Sequence, residues 1–157
     1  MKQNPSERSS SLIFPPTDAI NAYLAIQEVY GVVNRKVSKK LKKWGLSVPK
    51  YGVIIHLYDH ECLALSELSK LIFCGNSNIT ALVDRMEKNG LVQRVNSSND
   101  RRVKEIRLTE KGRELAPKVI SEYRPFLHQM MNCLAHDEQR ALRDLLSRLK
   151  EALDREK

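Results

Sequence analysis

Asp100, Arg101 and Arg102 close a seven-residue run, NSSNDRR (96–102), whose other members are turn formers. An arginine at a tight turn can enter a narrow groove of a polyanion, where negative potential concentrates. An aspartate beside it can hold the guanidinium in one direction through a charge-assisted pair. The same charges also suit a solvated hairpin tip. Upstream lies NSNITALVDRMEK (76–88), where Ile79, Leu82, Val83 and Met86 recur at helical spacing. That spacing turns Asn76, Ser77, Asn78, Thr80, Ala81 and Arg85 to the outer side. Asparagine amides bond adenine bidentately, hydroxyls accept several partners, and a threonine methyl packs on that of thymine. Asn and Ser also favour helix starts as caps. The helix alone leaves both readings open, and the arginine-bearing turn beside it favours base-edge chemistry.

Three other constellations could do chemistry. Arg35, Lys36, Lys39, Lys40, Lys42 and Lys43 place six cations within nine residues and no acid among them. They read either as a phosphate-contacting patch, which makes binding salt-dependent, or as a solvated face matched to a helix C-terminus. His56 and His60 are one helical turn apart, a spacing that can share a metal; such a pair is more often two surface polar residues at a helix end. Cys62, Cys74 and Cys133 are odd in number and scattered, with no Cys-x-x-Cys pair, as expected of a reducing compartment. Cys74, in a turn, is the best thiol for oxidant sensing, although a buried inert cysteine is the commoner state. No glycine-rich phosphate loop, GxSxG elbow or HExxH motif occurs, so a non-enzyme without cofactor or resident metal is expected.

The elements that position these groups follow from periodicity and punctuation. Residues 1–16 are polar and serine-rich, closed by Pro15-Pro16, and read as a mobile N-terminal arm. Thr17 or Asp18 caps a long helix to about Trp44, with Ile20, Leu24, Val29, Val33, Val37, Leu41 and Trp44 as its apolar stripe. Such a helix needs a helical partner, either within this chain or from another subunit. Gly45 ends it, and Pro49 opens a helix over 48–59 with Tyr51, Ile54, Ile55 and Tyr58 on helical spacing. A short helix over 65–73 with Leu65, Leu68, Leu71 and Ile72 inward precedes the CGN turn at 74–76. Asn89-Gly90 stops the outward-polar helix; strands at 92–95 and 103–108 flank the arginine turn. Thr109 caps a helix to about 132, with a kink expected at Pro125, and a leucine-striped helix spans 137–154.

At 157 residues the chain suits one domain, 17–157, after the arm. A formal charge of +8, from 27 Lys and Arg against 19 Asp and Glu, favours a polyanionic partner, double-stranded DNA above all. A basic helical module for an acidic protein partner is the alternative from another class. No apolar run approaches a membrane span, and the N-terminus lacks a signal-type apolar region, so a cytoplasmic protein without membrane contact is expected.

Four blocks at matching spacing, LSVPKYGVIIHL, LSELSKLIF, NITALVDRMEKNGLVQR and DRRVKEIRLTEKG, resemble the MarR family of bacterial transcriptional regulators. The resemblance covers about residue 20 to the end. It implies a mainly α (α+β) fold, a winged helix-turn-helix at 48–112 with flanking dimerisation helices at 17–44 and 113–157. It further implies a triangular homodimer that reads a pseudo-palindromic operator, one helix per half-site. By the family pattern Asp100 braces the wing and Arg102 enters the minor groove, while Ser77, Asn78, Thr80 and Arg85 face the major groove. Family members commonly repress and release DNA on binding a small aromatic or anionic effector. That cleft would be walled here by Tyr30, Val33, Trp44, Tyr51, Ile55 and Tyr58; plain core packing is the other reading of these side chains. Two positions depart from the pattern: Gly75 stands where members often have a capping serine, and Ala64 where many have threonine or serine. The peroxide-sensing branch carries a cysteine near the start of its first helix, and none occurs here before Cys62. A redox or metal sensor built on Cys74, or on His56 with His60, remains the rival within the family.

Overall fold

The computed structural model describes residues 17–72, 76–97 and 104–155, and at 76–78 the backbone alone. Helix α1 (Asp18–Lys42) starts at Thr17, whose hydroxyl accepts the Ile20 amide at 3.3 Å. It ends among lysines, which suit the carbonyl end of the helix dipole. Gly45, at φ 67°, then turns the chain: its amide donates to Lys42 O at 2.9 Å and the Leu46 amide to Leu41 O at 3.3 Å. This left-handed closure suits glycine and buries Leu46 over Leu41.

Helix α2 (Val48–Asp59) has Pro49 in its first turn, where a missing amide costs nothing. Then come β1 (Leu63–Ala64), α3 (Leu65–Leu71) and α4 (Asn76–Lys88). The hairpin β2 (Val92–Asn96) and β3 (Lys104–Leu108) leads into α5 (Glu110–Met131) and α6 (His136–Arg155). Ala64, at the start of α3, has no side-chain acceptor, so only half of a capping box exists: Glu67 accepts the Ala64 amide at 2.8 Å. Helix α5 runs as one element through both Pro117 and Pro125.

The sheet order is β1-β3-β2, all antiparallel, with Leu63 opposite Ile106 and Val92 opposite Leu108. Strand β1 was not expected. Two residues are too few to show alternation, and they become a strand only by pairing with β3.

One core joins the lobe. Val37, Leu41 and Leu46 meet Val53, Ile54 and Leu57 of α2, Leu68 of α3, and Ile79, Leu82, Val83 and Met86 of α4. Val92, Ile106 and Leu108 from the sheet and Ala116, Val119 and Tyr123 from α5 close it. One expected face is rotated and another is only partly covered. In α2 the buried residues are Val53, Ile54 and Leu57, while Tyr58 is 46% exposed. In α1 the stripe reaches the core only at its C-terminal end, and Val29 is 60% exposed. Leu71, expected inward, is exposed as well.

Candidate nucleic-acid interface

Helix α4 divides as its spacing requires. Ile79, Leu82, Val83 and Met86 are buried, and Thr80, Ala81 and Arg85 are exposed. The side chains of Asn76, Ser77 and Asn78, and the whole of the CGN turn before Asn76, lie outside the described residues.

The far end of α4 is anchored through backbone. Gly90, at φ 68°, repeats the Gly45 closure: its amide donates to Glu87 O at 2.9 Å and the Leu91 amide to Met86 O at 3.0 Å. Thr109 then ties this turn to α5. Its hydroxyl donates to Gly90 O at 2.6 Å and accepts the Gly112 amide at 3.2 Å, while its own amide donates to Leu91 O at 3.1 Å. Lys111 Nζ donates to Asn89 O at 2.9 Å, capping a terminal carbonyl of α4. A Cβ on Gly112 would lie 2.2 Å from Leu91 O, so only glycine lets α5 come this close.

Arg94 on β2 holds α4 from the side. Its guanidinium donates to Asp84 and Glu87, and its amide donates to Glu87 Oε1 at 3.0 Å. The hydrogen bond to Asp84, followed by that to Glu87, raises the Arg94 pKa and holds it charged. Sequence reading missed this clamp. Its one signal was two acids three residues apart on a helix, followed by an arginine just past the turn glycine.

The hairpin ladder ends at Asn96 opposite Lys104, whose Nζ donates to Asn96 Oδ1. Three rungs nearer the lobe, Gln93 faces Arg107, with its amide oxygen accepting from Arg107 Nε and Nη2 at 2.7 and 2.9 Å. Asp100, Arg101 and Arg102 fall between the strands in sequence and outside the described residues.

The basic stretch of α1 is partly engaged. Lys43 and Lys40 pair with Glu122 of α5, the latter at 3.6 Å, and hold its carboxyl below the usual carboxylate range. Lys43 sits 4.0 Å from the Trp44 ring centre, and Lys40 5.7 Å from that of Phe126. These contacts lash α1 to α5, so the acid missing from the local sequence arrives from a distant helix.

Of the expected effector residues, Val33, Trp44 and Tyr51 pack against the core and Ile55 is half-buried. Tyr30 is 66% exposed, and Tyr58 likewise faces outward. Tyr51 packs against Tyr123 in a tilted pair with ring centres 4.3 Å apart, and burial followed by that neighbour pushes its phenol up to about 12. The neighbouring grooves, of about 370 and 390 Å³, are lined by Lys36, Lys39, Lys40, Lys43 and Phe126, and by Lys36, Phe126, Gln129 and Met130. None of the six expected residues lines either groove.

Cys62 is half-buried and bonded to Glu105, which pushes its thiol pKa up and away from a reactive thiolate. Cys133 is exposed, and Cys74 lies outside the described residues. His56 is half-buried and His60 exposed; among the described residues no three His, Cys, Asp or Glu side chains could hold a metal. No helix among them is long and apolar enough to cross a membrane.

Residues 46–104 match the model of the MarR family. The transcriptional repressor MprA of Escherichia coli (strain K12) is 33% identical over 119 residues, covering 74% of this chain and 68% of that protein. The crystal structure of AbsC, a MarR family transcriptional regulator from Streptomyces coelicolor, superimposes with a TM-score of 0.82 at 26% identity, over 88% of this chain and 97% of that one. The MepR–DNA complex of S. aureus shares the fold, with a TM-score of 0.76 at 20% identity over 85% and 97% of the two chains.

Proposed function

This chain belongs to the MarR family of transcriptional regulators, and from that premise we propose that it is a homodimeric repressor of a pseudo-palindromic operator. It is a DNA-binding regulator with a winged helix-turn-helix. The observation that carries the operator-reading role is α4: a buried apolar face, an outer face bearing Thr80, Ala81 and Arg85, and a far end fastened to α5 by Thr109. In this reading Asn76, Ser77, Asn78, Thr80, Ala81 and Arg85 meet the major groove, and Arg101 and Arg102, braced by Asp100, meet the minor groove. Repression is supported by the relative MprA, itself a transcriptional repressor.

The division of labour is a DNA-binding lobe at 48–112 and a dimerisation region at 17–44 and 113–157. The uncovered apolar faces of α1 and α6 support the second part. A small aromatic or anionic effector near Tyr30, Val33, Trp44, Tyr51, Ile55 and Tyr58 would release DNA, acting in the cytoplasm with no catalytic step. The positive potential an anion needs is supplied by a groove that none of these six residues lines, that of Lys36, Lys39, Lys40 and Lys43 beside Phe126.

Arg102→Ala tests the wing. Binding to a duplex selected by the wild-type chain from a random library should weaken by roughly tenfold or more, as for a lost base or groove contact. The oligomeric state should not change. Unchanged affinity removes the wing from the interface, and equal affinity of the wild type for all duplexes favours a basic interaction module.

A further inference from the structure

Helix α4 and β2 are neighbours in sequence, joined only by the Asn89–Leu91 turn. Leu82 and Met86 pack the helix down, but apolar packing is non-directional and resists sliding less than it resists separation. The directional contact between these two elements is Arg94, whose guanidinium meets Asp84 and Glu87 at once and whose amide also donates to Glu87. A planar guanidinium can serve two carboxylates in fixed directions, which an ammonium cannot. Arg94 is also two residues from Asn96, the end of the strand that leads into the NDRR segment.

Asp84 lies one helical turn beyond Thr80 and beside Arg85, so it shares a flank with the outward face of α4. Close to phosphates, an uncompensated pair of carboxylates there would repel DNA. Arg94 therefore has two separable effects: it fixes the angle of the helix to the wing strand, and it offsets one of the two negative charges.

We infer that Arg94 is a specificity-determining positioning residue, which grips Asp84 and Glu87 so that the reading face of α4 and the wing meet DNA as one rigid unit. The inference rests on the operator-reading function proposed above. Its substance is that the angle sets sequence preference, whereas the charge sets general affinity.

The test uses the full chain and two fluorescent duplexes, one enriched by the wild type from a random library and one a shuffle of it, at one salt concentration. Arg94→Met should lower affinity for both duplexes and cut the preference between them by roughly tenfold, the scale of a misplaced base contact. Adding Asp84→Asn and Glu87→Gln to Arg94→Met removes the uncompensated acids. Affinity for the shuffled duplex should then reach or exceed that of the wild type, because the cluster is neutral where the wild type keeps one net negative charge, while the preference stays lost. Restored preference in that triple variant overturns the inference, because charge alone then accounts for Arg94. Should Arg94→Met fail to fold, Asp84→Ala with Glu87→Ala, keeping Arg94 and removing every acceptor of the clamp, gives the same reading: lost preference supports the clamp and full preference overturns it. A wild-type chain that enriches no duplex overturns operator reading itself, and the clamp's role with it.

Discussion

The winged lobe and the chain's two outer helical segments are built from the same kind of amphipathic pattern, yet they end in opposite states. In the lobe, α2, α3 and α4 each contribute at least one fully buried side chain, among them Ile54, Leu68 and Met86. Helix α6 contributes none, and its stripe of Leu142, Leu145, Leu146, Leu149 and Leu153 is 38–59% exposed. The N-terminal half of α1, with Tyr23, Ile26, Val29 and Tyr30, is similarly uncovered. An apolar stripe states that a face will be buried; it does not state which chain supplies the cover. The lobe is satisfied by its own chain, and the ends, left uncovered, are where the proposed homodimer would be joined.

The sharpest way to break this contrast is to charge the uncovered stripe. Leu145→Glu with Leu149→Glu should cost the dimer on the order of 4 kcal/mol, about a thousandfold in dissociation constant. Sedimentation should show monomer at micromolar concentration while the circular dichroism of the lobe persists. A dimer that survives would place the interface elsewhere.

Gly112→Ala attacks the lobe from inside and should cost about 3 kcal/mol, since the new methyl meets Leu91 O and backbone must move. Denaturant unfolding at fixed protein concentration reads this directly; a midpoint like that of the wild type would mean that α5 has room to retreat. Thr109→Ala removes a helix cap and the hydroxyl bond to Gly90 O, for about 1–2 kcal/mol by the same assay.

The smallest effect is alkaline. Tyr51 has its phenol raised, so its neutral form is favoured in the folded chain. Its contribution is complete below the ordinary phenol value of 10.0 and is lost as pH rises toward about 12, because the unfolded chain releases the proton first. Tyr51→Phe should flatten stability across that window, and an unaltered alkaline slope would assign the loss to other groups.

What could be read from the sequence follows the same division. The α4 face was legible because Ile79, Leu82, Val83 and Met86 answer to a core within a few residues' reach and their spacing needs no further information. The two glycine closures at 45 and 90 were equally plain. Helix α1 was legible as a helix that needs a partner, but its stripe did not say where its own chain stops covering it: Val37 and Leu41 are buried and Val29 is not. Tyr58 misled for another reason: α2 is apolar on several sides, so periodicity alone did not fix its rotation. The charged contacts were invisible. Glu122 is 79 residues from Lys43, and Arg94 finds Asp84 and Glu87 only after the chain reverses at Gly90. Asp100, Arg101 and Arg102, legible as chemistry, remain a sequence-level assignment.

The Thr109–Gly112 fastening has a mechanical consequence. Helix α5 has 22 residues, and at 1.5 Å per residue it is a rod of about 33 Å. Its first turn is bolted to the end of α4, and its last turn lies near Lys36 of α1 and leads into α6. A tilt of about 5° in such a rod, pivoting at its C-terminal end, carries the bolted end through about 3 Å, close to one base-pair step of a duplex. In a pair of chains the separation of the two reading heads is thus set by a lever whose fulcrum lies in the segment with no core of its own.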